Sequence, residues 1–340
     1  MAVVDFGIAA LASVLGEPRD VAEEARNHGA NPHVVATMGF RTVHKAPVGT
    51  TTAAFGVAAA RTALDKAGLH LSQVDYLVVV SSNVPEYLQW DLSAAVARDL
   101  GLRDVPTLSL AQGCLSAVQA FEYIAGLFSI RSELQTVLLV SAELVCDEHV
   151  NRLGNGTNAD SDGAVAAVLR RGHTSLRWLA SEQLTDPAYA DFFRLEYGGR
   201  AAPSPPPGRS NRGIDPARAI FDFFEGAAQP FAEYARMTDA RIADAVDGAC
   251  KRAGMERSDL TKVILLHSNQ VTLRRVADVL GVPLDRTNAA LAAKLGHFGG
   301  LDPLVCLDIY TDRGTFTPGD TVALAGMSSG LHWFCTLIQV

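Results

Sequence analysis

Two distant stretches carry nearly the same pattern: VVVSSNV at residues 78–84 and ILLHSNQV at 264–271. Each is a short apolar run that ends in a polar turn. Each is followed by a helical segment with the same close, VARDLGL at 96–102 and VADVLGV at 276–282. Further on, the first copy reaches Gly113-Cys114 at a helix start, and the second reaches Gly296-His297 before a helix. TVLLVSA at 136–142 then answers TVALAGM at 321–327. Three matches in one order at similar spacing imply an internal duplication. We divide the chain into halves 1–170 and 171–340, each βαβαβ-like and related by a pseudo-twofold. Equivalent loops of both halves then meet near one centre. That places Cys114, His267 and His297 together although they are far apart in sequence.

Around these anchors, β-rich runs alternate with helical stretches. Strands are expected at 75–81, 105–111, 136–142, 163–169, 262–267 and 320–326. Helices are expected at 51–67, 90–100, 115–128, 217–236, 240–253 and 271–280. Such alternation, with near-continuous apolar strands, predicts an α/β protein with covered sheets. The N-terminal MAVVDFGIAALASVLGEPRD reads as a strand and a turn rather than a signal peptide. The 185–215 stretch, with SPPPGRSNRG and few apolar positions, reads as a surface loop near a site entrance.

The chain has 340 residues, is 48% hydrophobic and carries a net charge of −8. That length and apolar content support a large core. The negative balance argues against nucleic acid or an anionic membrane as partner. No apolar run is expected to span a bilayer. The five cysteines, Cys114, Cys146, Cys250, Cys306 and Cys335, are widely spaced and form no CxxC pair. Neither a disulfide framework nor a zinc site is expected, and the compartment is expected to be reducing.

Cys114 carries the strongest chemical signal. A strand ends near Ala111, Gly113 permits a tight turn, and a helix follows with Val118, Phe121, Ile124 and Phe128 as its apolar stripe. A cysteine at a helix N-terminus feels the positive end of the dipole and can act as a thiolate nucleophile, while nearby amides serve an oxyanion. A buried cysteine at a strand–helix turn has the same local pattern. His267 closes an apolar strand, as a core histidine also does, and Asn269 can cap the next helix. Glycines flank His297 and let its backbone approach a neighbour closely. Asp302-Pro303 is a standard helix opening, yet the Asp302 carboxylate can also orient His297 as the acidic member of a triad.

Together these segments resemble ketoacyl-acyl-carrier-protein synthase III and its acyltransferase relatives in the thiolase superfamily. The resemblance rests on TMGFRTVHKAPVGTTTAAFGVAAARTAL (37–64), AQGCLSAVQA (111–120), SDGAVAAVL (161–169), LLHSNQ (265–270), GHFGGLDPL (296–304) and GMSSG (326–330). It implies the thiolase fold with five αβαβα layers, a cytoplasmic homodimer, and no metal or bound cofactor. It also implies an acyl-carrier-protein or coenzyme A thioester as substrate. Cys114 matches the family nucleophile and His267 its histidine, while His297 stands where the family has asparagine. The GHxGGxDP pattern is similar to relatives in natural-product pathways that transfer acyl groups, and implies a Cys114–His297–Asp302 unit. The backbones of Cys114 and Ser329 are the implied oxyanion donors. The family's adenine-clamping Trp is missing from GANPHVVATMGFR at 29–41, which gives weight to a carrier-protein donor. Arg274 and Arg275 could face an acidic carrier, or simply form a solvated helix face.

The expected reaction is ping-pong acyl transfer from a thioester through Cys114 to a hydroxyl, amine or carrier thiol, in secondary metabolism. His297 serves as base, and His267 polarises the thioester carbonyl or positions the acceptor. The alternative is a decarboxylative 3-oxoacyl synthase that primes a polyketide or fatty-acid chain. A non-catalytic partner subunit is a third possibility, and the presence of Cys114 with both histidines argues against it.

Overall fold

A computed structural model describes residues 4–154 and 156–340. The first half contains strands β1 (Phe6–Leu15), β2 (Glu17–Asp20), β3 (Thr42–Lys45), β4 (Tyr76–Val80), β5 (Thr107–Leu110), β6 (Thr136–Glu143) and β7 (Gly163–Arg171). Its helices are α1 (Val21–Asn27), α2 (Pro32–Met38), α3 (Thr52–Ala67), α4 (Leu92–Leu100) and α5 (Ser116–Ile130). The second half contains β8 (Arg177–Thr185), β9 (Lys262–Leu265), β10 (Thr321–Ser328) and β11 (His332–Gln339). Its helices are α6 (Pro216–Phe223), α7 (Ala228–Ala253), α8 (Gln270–Leu280), α9 (Ala289–Leu295) and α10 (Asp302–Asp312). The expected N-terminal strand is β1; its reading began at Met1, and residues 1–3 lie outside the described ones.

Strand order repeats between the two parts of the chain. The first half runs β5-β4-β6-β7-β1, and the second runs β9-β10-β11-β8 in reverse along the same sheet. β4 and β6 are parallel, as are β9 and β10. The next two pairings in each half are antiparallel, β6–β7 and β7–β1 against β10–β11 and β11–β8. Where β5 flanks β4, a single parallel bridge joins Thr287 to Val263. Among the described residues, the strand pairing between the halves is the single register Gly7–Arg177 of β1 and β8, which joins them into one nine-stranded sheet.

Strand parity then builds the layers, because alternate side chains leave opposite faces. Val78, Val80 and Leu139 point to a middle core, with Ile264, Val322 and Leu324 from the other sheet. Helices α5 and α10 fill that core, through Phe121, Ile124 and Phe128 of α5 and Leu304, Val305 and Leu307 of α10. Leu77, Val79 and Val140 face outward onto α3 and α4. Val263, Leu265 and Ala323 face outward onto α7 and α8. The order is helices, sheet, helices, sheet, helices: the five-layered thiolase architecture.

Two expectations need correction. Residues 113–130 do reach 18 residues at a mean hydropathy of 1.3, long and apolar enough to cross a membrane by composition. That segment contains α5, whose Val118, Phe121, Ile124 and Phe128 are buried in the middle core between the two sheets. The break expected at 237–239 is also absent. Helix α7 runs unbroken for 26 residues, and the break falls earlier, between α6 and α7, where Gly226 takes a φ of 71°.

The middle layer sets the position of every loop at the site. Phe121 is 0% exposed in the middle core. Phe121→Ala is expected to cost about 3–5 kcal/mol of unfolding free energy through lost transfer energy plus cavity, as read by chemical denaturation.

Candidate active site

The nucleophile candidate is presented by a tight turn between β5 and α5. Gly113 adopts a φ of 60°, and a Cβ there would collide with the hydroxyls of Ser328 and Ser329. Only glycine meets both demands. Gln112 N–H donates to Ser116 Oγ at 2.7 Å, and Ser116 Oγ donates to the Gly113 carbonyl at 2.8 Å. Ser328 Oγ donates to the Gln112 carbonyl at 3.2 Å, which ties the turn to the end of β10. Cys114 thus sits two residues before the first residue of α5, partly exposed, facing a cavity that Ser329 also lines.

His297 reaches the same cavity from the loop between α9 and α10. Its N–H donates to the Ala159 carbonyl and its carbonyl accepts from Ser161 N–H, both at 2.7 Å. Gly296 and Gly299 adopt φ of 72° and 62°, and side chains at either would strike the 159–161 segment or Ser82. The loop is therefore pressed against its neighbours on both sides of the imidazole. His297 Nε2 lies 3.6 Å from Cys114 Sγ. His297 Nδ1 donates to Asp302 Oδ2 at 2.6 Å.

Asp302 does not cap its helix. It is the first residue of α10, and no side-chain cap is present there. Its carboxylate turns back and accepts Phe298 N–H at 2.7 Å and His267 N–H at 2.8 Å, besides the imidazole of His297. It is 0% exposed. Burial pushes its pKa up, but the two histidines and its donors outweigh that and hold it below the usual carboxylate range. Burial works to lower the pKa of His297, and the adjoining Asp302 carboxylate together with Cys114 overcomes it, holding the imidazole well above its ordinary value.

His267 is close but differently employed. It is fully buried, its Nδ1 donates to the Gly296 carbonyl, and its Nε2 accepts from the Cys306 thiol at 3.1 Å. Asn288 Nδ2 donates to the same sulfur at 3.5 Å. Burial raises the Cys306 pKa and lowers that of His267, so a neutral ring accepting from an intact thiol is the consistent assignment. His267 lines the cavity with Cys114, but both of its ring nitrogens already have partners, so polarising a thioester carbonyl, the role expected of it, would require one of those bonds to open. The ring instead stands behind Asp302, with Nδ1 3.3 Å from Oδ1.

The cavity measures about 510 Å³. Cys114, His297, Ser329 and Asp160 line it, and its apolar wall comes from Phe193, Leu195 and Ile214 with Phe231, Tyr234 and Leu273. The 185–215 stretch thus does border the site, through apolar residues that its polar composition concealed. Arg275 lines the cavity and pairs with Asp239, and both Arg274 and Arg275 are exposed. Sequence reasoning missed Asp160 and Glu143. Burial raises Glu143 to about 7 against its donors, which include Asn83 N–H at 3.0 Å and Asn83 Nδ2 at 2.8 Å, and it thereby holds the cavity-lining 82–83 turn. Asp160 lies in the motif-bearing DSDGAV stretch, two positions before Asp162; the acid doublet was its only signal. Among the described residues, no group of His, Cys, Asp and Glu is arranged to hold a metal ion.

The C-terminal family model for 3-oxoacyl-[acyl-carrier-protein] synthase III matches residues 250–340. A β-ketoacyl-[acyl-carrier-protein] synthase III of Acaryochloris marina is 26% identical over 330 residues, 92% of each chain. One from Streptomyces coelicolor is 26% identical over 301 residues, 88% of this chain and 85% of the relative. Among solved structures, ChlB3, described as an acyltransferase, superposes with a TM-score of 0.86 at 22% identity, covering 99% of this chain and 98% of the other. The 3-oxoacyl synthase III of Pseudomonas aeruginosa superposes with a TM-score of 0.79 at 22% identity, covering 98% of each chain. The chain therefore has the five-layer thiolase fold, its residues 250–340 match the C-terminal domain of 3-oxoacyl-[acyl-carrier-protein] synthase III, and along most of its length it is similar to synthase III enzymes.

Proposed function

We propose that the protein is an acyltransferase that loads an acyl group from a carrier-protein or coenzyme A thioester onto Cys114 and passes it to a hydroxyl, amine or thiol acceptor. The observation that carries this reading is the thiol–imidazole–carboxylate line, 3.6 Å from sulfur to His297 and 2.6 Å from His297 to Asp302. Decarboxylative condensation needs two donors aimed at a thioester carbonyl as an enolate forms. Here the second histidine spends both ring nitrogens elsewhere. One imidazole remains, backed by a buried carboxylate, which is the equipment of a base. The fold likeness to a protein described as an acyltransferase agrees with this choice.

The cycle balances on one proton. His297 already holds it in the resting pair, and the Cys114 sulfur attacks the thioester carbonyl. The oxyanion is met by the amides of Cys114 and Ser329. Collapse breaks the C–S bond to the donor, and His297 returns its proton to the departing thiolate. Acylation removes the negative sulfur that helped hold that proton, so His297 is left as a better-poised base. It then accepts a proton from the acceptor as that nucleophile attacks the acyl-cysteine. Collapse expels the Cys114 sulfur and restores the starting pair.

Mass spectrometry with acyl-loaded carrier protein or acyl-coenzyme A is expected to find the acyl group on Cys114 in the wild-type protein and none in Cys114→Ala. If a malonyl thioester instead yields carbon dioxide and a 3-oxo product, condensation is the activity and the transfer reading is wrong.

Asp302→Asn removes the charge that holds the proton on His297. His297 then loses its proton at lower pH, the sulfur loses its cationic partner, and iodoacetamide alkylation of Cys114 should move to higher pH. Transfer should fall at least ~100-fold, as for a triad whose acidic member is replaced by its amide. An unchanged alkylation profile would reduce Asp302 to a structural fixture.

A further inference from the structure

Nearly every charged side chain at the cavity has an ionic partner. Arg275 pairs with Asp239. Arg194 is held by Asp191 at 2.6 Å and Glu196 at 3.1 Å. Asp302 is satisfied by its three donors. Asp160 is different: among the described residues, no donor lies within hydrogen-bond distance of its carboxylate. The nearby Arg152 guanidinium is committed to Asp162, at 2.9 and 3.0 Å, and to Asp147.

The position of Asp160 is nevertheless rigid. Its N–H donates to the Arg152 carbonyl at 3.0 Å, and it forms a parallel bridge with His297. The imidazole that reaches Cys114 and the unanswered carboxylate therefore sit side by side on paired segments, and both line the cavity. Burial lifts the Asp160 carboxyl to about 6, with His297 pulling the other way. Asp160 is partly exposed at the cavity wall, so its carboxylate can be answered there by the cationic group of a bound molecule.

We propose that Asp160 is a specificity-determining residue that selects a cationic acceptor: an alcohol or thiol that also carries an ammonium group, which the carboxylate receives beside His297. The same charge opposes acyl chains that end in a carboxylate. This inference rests on the transfer reading for its chemistry, since it places the acceptor where His297 can take its proton. The charge selection itself can be measured without turnover.

The probes are methanethiosulfonates of opposite charge, trimethylammonium-ethyl and sulfonato-ethyl. Their rates at Cys114 are followed by peptide mass spectrometry, each relative to neutral methyl methanethiosulfonate on the same variant. Asp160→Asn is expected to lower the cation-over-anion ratio about tenfold, the scale of one partly screened charge at short range. An unchanged ratio overturns the proposal. Independently of any variant, choline should protect wild-type Cys114 from the neutral reagent better than neohexanol, its uncharged isostere. Equal protection by the two overturns it as well. Acyl loading of Cys114 is scored separately. A loaded cysteine without charge preference removes this inference alone, whereas a charge preference at a cysteine that no thioester loads removes the transfer reading.

Discussion

One buried carboxylate fixes the geometry of the site. Asp302 gathers the backbone of His267, the backbone of Phe298 and the ring of His297. Those groups come from the end of β9 and from the loop before α10, so the interaction joins two segments of the second half at the point where they face Cys114. A fully buried anion is tolerated only when its lone pairs are answered, and here each oxygen has a backbone donor before the imidazole is counted. The imidazole then receives a fixed orientation and a reason to hold its proton. Removing any one donor leaves the others to carry a charge without solvent.

The repeated topology brings such a junction about. Helices α5 and α10 occupy the same central layer, one from each half, and the loops that open them meet between the sheets. A Cβ on Gly300 would come within 3.4 Å of the Cys114 carbonyl, so the two loops touch through a residue that has no side chain. The first copy supplies the thiol at its helix start. The second supplies the histidine just before its helix and the aspartate at its first residue. The two parts share the packing that brings their helix starts together and differ in the side chains they place there.

Much of this was legible in the sequence. The repeated VVVSSNV and ILLHSNQV runs gave the equivalence of β4 and β9, and strand parity followed from their apolar continuity. Cys114, His297 and Asp302 were each visible through their local grammar. The role of Asp302 was not decided by that grammar, because Asp-Pro at a helix start has a capping reading. Only the path of the chain around Phe298 shows its carboxylate turned backward. The employment of His267 was likewise hidden, since its partner Cys306 looks like an ordinary core cysteine 39 residues away. Asp160 escaped because its significance lies in what fails to approach it, and spacing cannot convey that. The apolar face of the 185–215 stretch escaped because Phe193, Leu195 and Ile214 are scattered among polar neighbours.

The account stands on the negative charge of Asp302 keeping the His297 imidazole protonated beside the Cys114 sulfur. Nitrogen-15 NMR of protein labelled at histidine, with His297 assigned by its loss in His297→Asn, measures that state directly. The account predicts a His297 ring that stays doubly protonated well past the ordinary histidine value of 6.5, with a low-field Nδ1 proton. A His297 that titrates at or below that value, with no such proton, would contradict it.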